Sequence, residues 1–236
     1  MKARVNTSNK GTICIFGARG SLGSELVKKF EIQGFEVIKF SSSSADKEHI
    51  LFQDINDSGN LPTKEKSIQG VIWAQGKNLS DSIYEFDRDK YEELMDANVT
   101  YILITLNALI EKDLLDDSSS LCVVSSIWQE ISRQEKLSYS ITKSALRGLV
   151  LSLANDLASR NIKVNAVLPG PIDNTMTREN LSNEQISRIE ESSVFGKLIN
   201  IDQVTETIFW LITDRSAGVT GQFVTIDNGF TKLRKV

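Results

Sequence analysis

The chain has 236 residues, of which 40% are hydrophobic and 25% charged, and its formal net charge is −4. This length can form one well-buried core, and the hydrophobic fraction excludes a disordered composition. Because the charges are mixed and slightly acidic in balance, we expect neither a nucleic-acid partner nor binding to an anionic membrane surface.

The two cysteines, Cys14 and Cys122, and the single histidine, His49, restrict metal and redox chemistry. Both cysteines lie in apolar runs, and their spacing fits neither a CxxC motif nor a zinc site. We therefore expect buried thiols in a reducing compartment and no metal. Residues 1–10 are polar and lack the apolar region of a signal peptide, and we expect no stretch of membrane-spanning length. A cytoplasmic protein without a membrane partner is predicted.

Short apolar runs alternate with helical patterns along the chain, which is typical of a parallel sheet covered by helices on both faces. The predicted strands are Thr12–Phe16, Glu36–Phe40, Ile50–Gln53, Gly70–Ala74, Ser120–Ser125, Lys163–Leu168 and Gln222–Ile226. The predicted helices are Leu22–Gln33, a long helix from the capping residue Asp87 to about Lys112, and about Ser138–Ser159. The fold class is α/β, a three-layer doubly wound parallel sheet of about seven strands.

The absence of internal repeats and of Gly-, Pro- or Ser-rich linkers indicates one domain. We place it at residues 11–230, between a flexible N-terminal segment, 1–10, and a C-terminal tail, 231–236.

A glycine-rich turn, Phe16-Gly17-Ala18-Arg19-Gly20-Ser21-Leu22-Gly23, follows the first strand and opens the first helix. Glycines allow a tight turn and let backbone N–H groups approach a pyrophosphate at the positive end of the helix. A strand-to-helix turn can also need glycine for steric reasons alone. Its position at the first strand of an alternating α/β chain favours dinucleotide binding.

The end of the second strand, Lys39-Phe40-Ser41-Ser42, indicates which dinucleotide is bound. A carboxylate there would bond the ribose 2′-hydroxyl of NAD, whereas a 2′-phosphate needs cationic and hydroxyl donors. No acid is present, and Arg19 lies in the glycine turn, so NADP(H) is favoured over NAD(H). Alternatively, Ser41–Ser44 is only a polar turn and Arg19 is solvated.

Tyr139 and Lys143 are four residues apart in the third predicted helix and therefore share a face. An ammonium beside a phenol lowers the pKa of the phenol toward the range of an acid/base catalyst. The same spacing occurs by chance on solvated helix faces, so the pair needs support from other motifs.

That support comes from Ser126, thirteen residues before Tyr139, from Asn98 in the long helix, and from the segment Val164-Asn165-Ala166-Val167-Leu168-Pro169-Gly170-Pro171-Ile172. In order and spacing these motifs resemble the short-chain dehydrogenase/reductase family, and within it the single-domain reductases of the 3-oxoacyl-carrier-protein reductase type. The resemblance covers about Gly11–Phe230 and implies a Rossmann-type fold.

The resemblance also implies a role for each of these residues. Tyr139 would exchange a proton with the oxygen of a small-molecule carbonyl or alcohol substrate, and Lys143 would lower the tyrosine pKa and hold the nicotinamide ribose. Ser126 would donate a hydrogen bond to the same oxygen, whereas Ser125 is expected to be structural. Asn98 would bend its helix and position a water that relays protons. A homodimer or homotetramer, paired through the second and third predicted helices, is implied as well.

The implied cofactor-binding set combines the glycine turn, the ends of four strands and the tyrosine–lysine pair. It consists of Gly17, Arg19, Gly20, Ser21, Leu22, Gly23, Ser41, Ser42, Asp54, Ile55, Ala74, Gln75, Gly76, Tyr139, Lys143, Pro169, Gly170, Ile172 and Asn174.

Several positions depart from the family pattern. Phe16-Gly17 replaces Thr-Gly, Ser21 replaces a glycine, Ala74-Gln75-Gly76 replaces Asn-Ala-Gly, and Asn174, with Thr175 beside it, replaces a threonine. The alternative function is therefore a cofactor-binding regulator or scaffold of the same fold without turnover. A nucleotide-sugar epimerase or dehydratase is disfavoured because too few residues follow Gly170 for a second substrate-binding domain. The sequence does not select a substrate.

Overall fold

The computed structural model describes residues 10–42, 48–53, 55–62, 67–213 and 216–234. For residues 55, 56, 175, 176 and 180 it describes the backbone alone. Asp54, which belongs to the predicted cofactor-binding set, and Ser43 and Ser44 of the predicted loop lie outside the described residues.

Seven parallel strands form one sheet in the order β3-β2-β1-β4-β5-β6-β7. The strands are β1 Thr12–Phe16, β2 Glu36–Ser41, β3 His49–Leu51, β4 Ile68–Trp73, β5 Leu115–Val124, β6 Lys163–Pro169 and β7 Phe223–Ile226. The predicted α/β class and strand number are confirmed. The largest differences are that β3 ends at Leu51 instead of Gln53 and that β5 begins well before Ser120.

Helices cover both faces of this sheet. Those in the described residues are α1 Ser21–Ile32, α2 Arg88–Met95, α3 Tyr101–Glu111, α4 Leu137–Asp156, α5 Thr175–Asn180, α6 Asn183–Ser192 and α7 Ile201–Ile212. Asp87 caps α2 as predicted, since its carboxylate accepts from the N–H groups of Asp89 and Lys90 at 3.0 and 3.2 Å. The predicted long helix is interrupted by a π-helical turn, Asp96–Thr100, and the sequence prediction missed α5, α6 and α7.

Alternation along the strands creates two hydrophobic cores. In β1, Cys14 and Phe16 belong to one buried cluster and Ile13 and Ile15 to the other, because successive side chains point to opposite faces. Both faces of a parallel sheet must be covered, which accounts for the nearly continuous apolar sequence of β1.

Each core is closed by a pair of helical elements. Ile102 and Leu106 of α3 and Leu146 of α4 pack in the first cluster, whereas Leu26 of α1 and Ile208 of α7 pack in the second. The predicted three-layer, doubly wound arrangement is therefore confirmed.

The helical run Arg88–Glu111 corrects one expectation, because its 24 residues are long and apolar enough to cross a membrane by length and composition. Half of its most apolar window is buried inside the protein. Ile102, Leu106 and Leu109 pack in the core beneath the sheet. A core helix passes the same test of length and composition, so this run is only weak evidence for a membrane span.

The strand order reverses between β1 and β4, since the chain adds β2 and β3 on one side of β1 and β4–β7 on the other. In open α/β sheets, ligands bind in the crevice at such a switch point, beyond the carboxyl ends of the strands. The glycine turn after β1 and the segment after β4 meet at this place.

Two helical glycines provide a matched test of this packing. A Cβ on Gly23 would lie 2.1 Å from the carbonyl oxygen of Gly17, whereas a Cβ on Gly148, an exposed residue of α4, would meet nothing within 4 Å. We expect Gly23→Ala to lower the free energy of unfolding by about 1–3 kcal/mol, because the turn must open. Gly148→Ala should raise it by about 0.5–1 kcal/mol through helix propensity. Urea unfolding measures both, and an unchanged stability of Gly23→Ala would contradict the tight turn.

Candidate active site

The glycine turn packs directly against the segment that follows β4. Gly17 has a φ of +79°, and a Cβ at this position would lie 2.6 Å from the backbone nitrogen of Gln75. The carbonyl of Phe40, near the end of β2, accepts hydrogen bonds from the N–H groups of Gly17 and Ala18, both at 3.1 Å. Glycine is thus required at position 17 by conformation and by space.

The start of α1 suits an anionic group. Gly20 is the N-cap residue and supplies no side-chain cap to the first-turn N–H groups. Uncapped N–H groups at the positive end of a helix attract phosphate. Arg19 and Ser21 are exposed beside this helix start, and Leu22 is buried in the core.

The end of β2 offers one of its two predicted hydroxyls to solvent. Ser41 is buried, and its carbonyl accepts from the N–H of Phe52 at 3.0 Å. Ser42 is exposed. Ile55 follows in the chain, but its side chain is outside the described atoms.

Ser126, Tyr139, Lys143 and Asn98 come together as the sequence predicts. Ser126 is buried just beyond the end of β5, and its Oγ accepts from the N–H of Trp128 at 3.4 Å. Its hydroxyl lies beside the phenol of Tyr139 and acts to lower the pKa of that phenol. The Nζ atom of Lys143 lies 5.7 Å from the centroid of the Tyr139 ring and donates to the carbonyl of Val124 at 3.1 Å. Spacing of four residues on α4 therefore places the ammonium against the ring face.

Gly76, in the segment after β4, brings Asn98 into the same group. A Cβ on Gly76 would lie 3.2 Å from Oδ1 of Asn98 and 3.7 Å from Nζ of Lys143. The segment after β4 thus contacts the glycine turn at Gln75 and the lysine at Gly76.

Asn98 lies in the π-helical turn between α2 and α3. Its Oδ1 accepts from the N–H of Lys77 at 2.8 Å, and its Nδ2 donates to the carbonyl of Lys77 at 3.1 Å and to Thr142 Oγ1 at 3.0 Å. The side chain ties the segment after β4 to α4, next to Lys143. π-Helical turns are frequent at functional sites.

The electrostatics of the tyrosine differ from the sequence prediction. Burial raises the pKa of Tyr139 to about 12, although the neighbouring Ser126 hydroxyl acts to lower it. Burial also lowers the pKa of Lys143 to about 8. The prediction of a lowered phenol pKa is therefore wrong, because removal from water raises that pKa by more than the neighbouring Ser126 hydroxyl lowers it.

Lys136 is a further residue of the site whose contacts the sequence did not reveal. Its buried Nζ donates to Asn78 Oδ1 at 2.7 Å, to the carbonyl of Leu79 at 3.1 Å and to Ser80 Oγ at 3.3 Å, and lies 5.4 Å from the Tyr139 ring centroid. All of these hydrogen bonds go to the segment after β4, so Lys136 ties that segment to the start of α4.

Asp81 also links the segment after β4 to the start of α4. Its carboxylate accepts from the backbone N–H of Ser138 at 3.0 Å and from the hydroxyl of the same residue, and its carbonyl accepts from the N–H of Leu137 at 3.3 Å. The first turn of α4, which carries Tyr139, is thereby fixed to the segment after β4.

The end of β6 forms the remaining side of the site. Pro169 ends β6, and a Cβ on Gly170 would lie 2.9 Å from Cδ1 of Ile199. Ile172 forms an isolated parallel bridge with Ile199. Asn174 caps α5 by accepting from the N–H of Thr177 at 2.9 Å, which occupies its side-chain oxygen.

Arg178 follows on α5. Its guanidinium forms a bidentate ion pair with Asp173, with N···O distances of 2.7 and 2.9 Å. This ion pair links α5 to the segment that follows β6.

A hollow of about 600 Å³ lies along β7 and the residues after it. Phe223, Asp227 and Leu233 are among its lining residues, and none of the predicted site residues is. It is therefore separate from the tyrosine–lysine pair.

Comparison with known proteins identifies the family. A family model described as enoyl-(acyl carrier protein) reductase matches residues 64–231, more than half of the chain. The chain belongs to the short-chain dehydrogenase/reductase family. It is accordingly an oxidoreductase that acts on an alcohol/carbonyl pair and has an NAD(P)-binding Rossmann fold.

Relatives of this short-chain dehydrogenase/reductase match along nearly their whole length. The 3-oxoacyl-[acyl-carrier-protein] reductase FabG of Rickettsia bellii is 24% identical over 232 residues, which cover 92% of this chain and 95% of the relative. The gluconate 5-dehydrogenase of Burkholderia cenocepacia J2315, solved with NADP and tartrate, has a TM-score of 0.85 at 17% identity and covers 95% and 96% of the two chains. A 4-hydroxyisoleucine dehydrogenase complexed with NADH has a TM-score of 0.82 at 22% identity, with 95% and 100% coverage.

The residues at the switch point fit a nicotinamide dinucleotide. Gly17 and Gly23 leave no space for a Cβ because the turn packs against Gln75 and against its own backbone, whereas in the described part of the chain a Cβ on Gly20 would meet only the carbonyl oxygen of Gly17, at 3.4 Å. The first turn of α1 has no side-chain cap, and both polar atoms of the buried Gln75 amide lack a partner among the described residues. A helix start and unpaired polar atoms are what a ligand with phosphates and hydroxyls requires.

The lowered pKa of Lys143 predicts a stability that depends on pH. Below about pH 8 the lysine is charged in both states, and the folded protein bears the cost of burial. Between about pH 8 and 10.5 the unfolded chain binds more protons than the folded one, so the free energy of unfolding rises with pH. Across this window we expect the free energy of unfolding of wild type to rise, relative to that of Lys143→Met, by an amount on the order of 2 kcal/mol.

Urea unfolding of both proteins at pH 6, 7, 9 and 10 measures this difference. It should be constant between pH 6 and 7, which is the internal control. A difference that is equally constant up to pH 10 would show that Lys143 is not buried as described.

Proposed function

We propose that the protein is an NADP(H)-dependent oxidoreductase that transfers hydride between the nicotinamide and a carbonyl or secondary alcohol, with Tyr139 as the general acid/base. The observation that carries this proposal is the placement of Lys143 Nζ 5.7 Å from the centroid of the Tyr139 ring, with the Ser126 hydroxyl beside the phenol, at the same edge of the sheet as the glycine turn. The partner is a small molecule, whose chemical class stays open.

The raised pKa of Tyr139 makes the phenol a proton donor at neutral pH. In reduction, the phenolic proton moves to the carbonyl oxygen while the carbonyl carbon accepts hydride, and the alcohol forms. The bound cofactor supplies that hydride. The phenolate left behind is stabilised by the Lys143 ammonium at its ring face and by the Ser126 hydroxyl.

Ser126 has a second proposed role, because a hydroxyl beside the phenol can donate to the oxygen on which charge develops. Asn98 is proposed to be a positioning residue: its hydrogen bonds to Lys77 and Thr142 hold the chain on either side of Lys143 in place. The relay water inferred from the family resemblance stays a prediction.

The cofactor would be held by the residues at the carboxyl ends of the strands. The glycine turn and the start of α1 would bind the diphosphate, Ala74-Gln75-Gly76 would line the crevice, and the segment Pro169–Ile172 with Asn174 would border the nicotinamide. Asp54 and Ile55 remain predictions because they lack described side chains.

The serines Ser125 and Ser126 allow a matched test of the acid/base assignment. The Ser125 hydroxyl donates to Gln129 Oε1 at 2.9 Å, whereas the Ser126 hydroxyl faces Tyr139. With NADPH and a substrate found in a carbonyl panel, Tyr139→Phe should lower kcat by about 10²–10⁴-fold, because the proton donor is lost. Ser126→Ala should lower it by at least about tenfold more than Ser125→Ala.

NADPH binding, followed by its fluorescence, should be nearly unchanged in Ser125→Ala and Ser126→Ala, which lie outside the predicted cofactor-binding set, and should remain measurable in Tyr139→Phe. Equal turnover by Tyr139→Phe and wild type would refute the acid/base role. Tight NADPH binding by the wild type with no turnover across a broad carbonyl and alcohol panel would favour the alternative, a regulator or scaffold, to which the atypical Ser21 and Gln75 give some support.

Preference for NADP(H) over NAD(H) is proposed on the basis of the exposed Arg19 and Ser42 and the lack of an acid in Lys39-Phe40-Ser41-Ser42. A charged hydrogen bond to a 2′-phosphate contributes about 1.5–3 kcal/mol, or roughly 10–100-fold in affinity. Arg19→Ala should therefore weaken NADPH binding by that factor and leave NADH binding unchanged. The control is Arg88→Ala, on the exposed start of α2. An unchanged ratio of NADPH to NADH affinity in Arg19→Ala would contradict the preference.

The homodimer or homotetramer and the cytoplasmic location also stay proposals. Support for an oligomer comes from the exposed apolar side chains of Leu103 on α3 and Ile141 and Leu151 on α4, the helices inferred to pair between subunits.

A further inference from the structure

Gln75 has an unusual environment for a polar side chain. Its Oε1 and Nε2 atoms are both buried and have no hydrogen-bond partner in the part of the chain that the structure describes. Proteins leave few buried polar atoms unpaired, since each costs free energy relative to its hydrated state in the unfolded chain. An amide with neither its acceptor nor its donor satisfied therefore indicates a missing partner.

The backbone of Gln75 is held on both sides, which restricts where its side chain can go. Its nitrogen and Cβ atoms lie 2.6 and 2.9 Å from the position that a Cβ on Gly17 would take. The preceding residue, Ala74, donates its N–H to the carbonyl of Phe16 at 2.9 Å. The following residue, Gly76, faces Asn98 and Lys143. Gln75 is thus placed between the glycine turn and the lysine, at the switch point of the sheet.

The chemistry of the amide selects the kind of group that would satisfy it. A carboxamide carries two N–H donors and an oxygen that only accepts. A phosphate oxygen could accept from Nε2 but offers Oε1 no proton, and an apolar ring satisfies neither atom. A hydroxyl both donates and accepts, and a vicinal pair of hydroxyls can engage both ends of the amide.

We propose that the Gln75 side chain recognises ribose hydroxyls of the bound dinucleotide. Its unpaired Oε1 and Nε2 atoms would be the groups that form hydrogen bonds with those hydroxyls. The inference rests on the proposed function, because it requires a dinucleotide at the switch point. It assigns a side-chain contact to a position where the sequence departs from the family pattern, and it explains why the departure introduces an amide there.

The test uses Gln75→Met, which keeps the length of the side chain and removes both polar atoms, and the control Gln33→Met, at an exposed glutamine at the end of α1. Without cofactor, Gln75→Met should be at least as resistant to thermal unfolding as wild type, because unpaired polar atoms are lost. Its dissociation constant for NADPH, from isothermal titration, should be at least about tenfold higher. Gln33→Met should match the wild-type affinity. These opposite changes distinguish recognition from a purely structural role, and Gln75→Ala is the second variant if the first does not fold.

Titration with ADP-ribose, 2′-phospho-ADP-ribose and nicotinamide mononucleotide identifies the ribose concerned. A loss of affinity for the adenosine-containing fragments, or for the mononucleotide, supports the proposal and assigns the contact to that half. Unchanged affinity for every ligand, or a loss of thermal stability without a loss of affinity, would overturn it. Tighter NADPH binding by Gln75→Met would also overturn it, since the amide would then occupy cofactor space.

Failure of the proposed function gives a different result. If wild-type protein binds neither NADPH nor NADH, the dinucleotide site itself is refuted, and the role of Gln75 is refuted with it.

Discussion

The contact between the glycine turn and Gln75 is the constraint on which the site depends. Two parallel strands that are neighbours at a switch point bring their following segments into one crevice, and only glycine at position 17 permits the distance observed. Every other group of the site is positioned relative to this contact. Gly76 continues the segment to Asn98 and Lys143, and residues 78–81 continue it to the helix that carries Tyr139.

A cluster of packed aromatic rings lies at the strand end that leads into the glycine turn. Phe16 stacks on Phe40 at 4.5 Å and on Trp73 at 5.9 Å between ring centroids, and Tyr101 meets it edge-on at 5.9 Å. These rings belong to β1, β2, β4 and α3, so their packing fixes the ends of three strands at once. The replacement of the family's threonine by Phe16 is explained by this cluster, in which the phenylalanine is fully buried.

The sequence was sufficient for the features that depend on local pattern. Strand positions follow from short apolar runs, and the shared helix face of Tyr139 and Lys143 follows from their spacing, whereas Ser126 was assigned through the family resemblance. The helix α7 was missed although Asn200 and Gln203 form a capping box before an amphipathic segment, so that signal was available. The bonds from Lys136 and Asp81 could not be predicted, because they join residues 56 to 58 positions apart that only the folded sheet brings together.

The error in the tyrosine pKa has the same origin and a functional consequence. The charge of Lys143 is visible in the sequence, whereas the burial that raises the phenol pKa and lowers the lysine pKa is a property of the packed site. A buried ammonium and an unpaired amide both cost stability in the folded protein, and both lie in one crevice. Because a ligand that binds only the folded state stabilises it, a dinucleotide in this crevice would offset that cost where it arises.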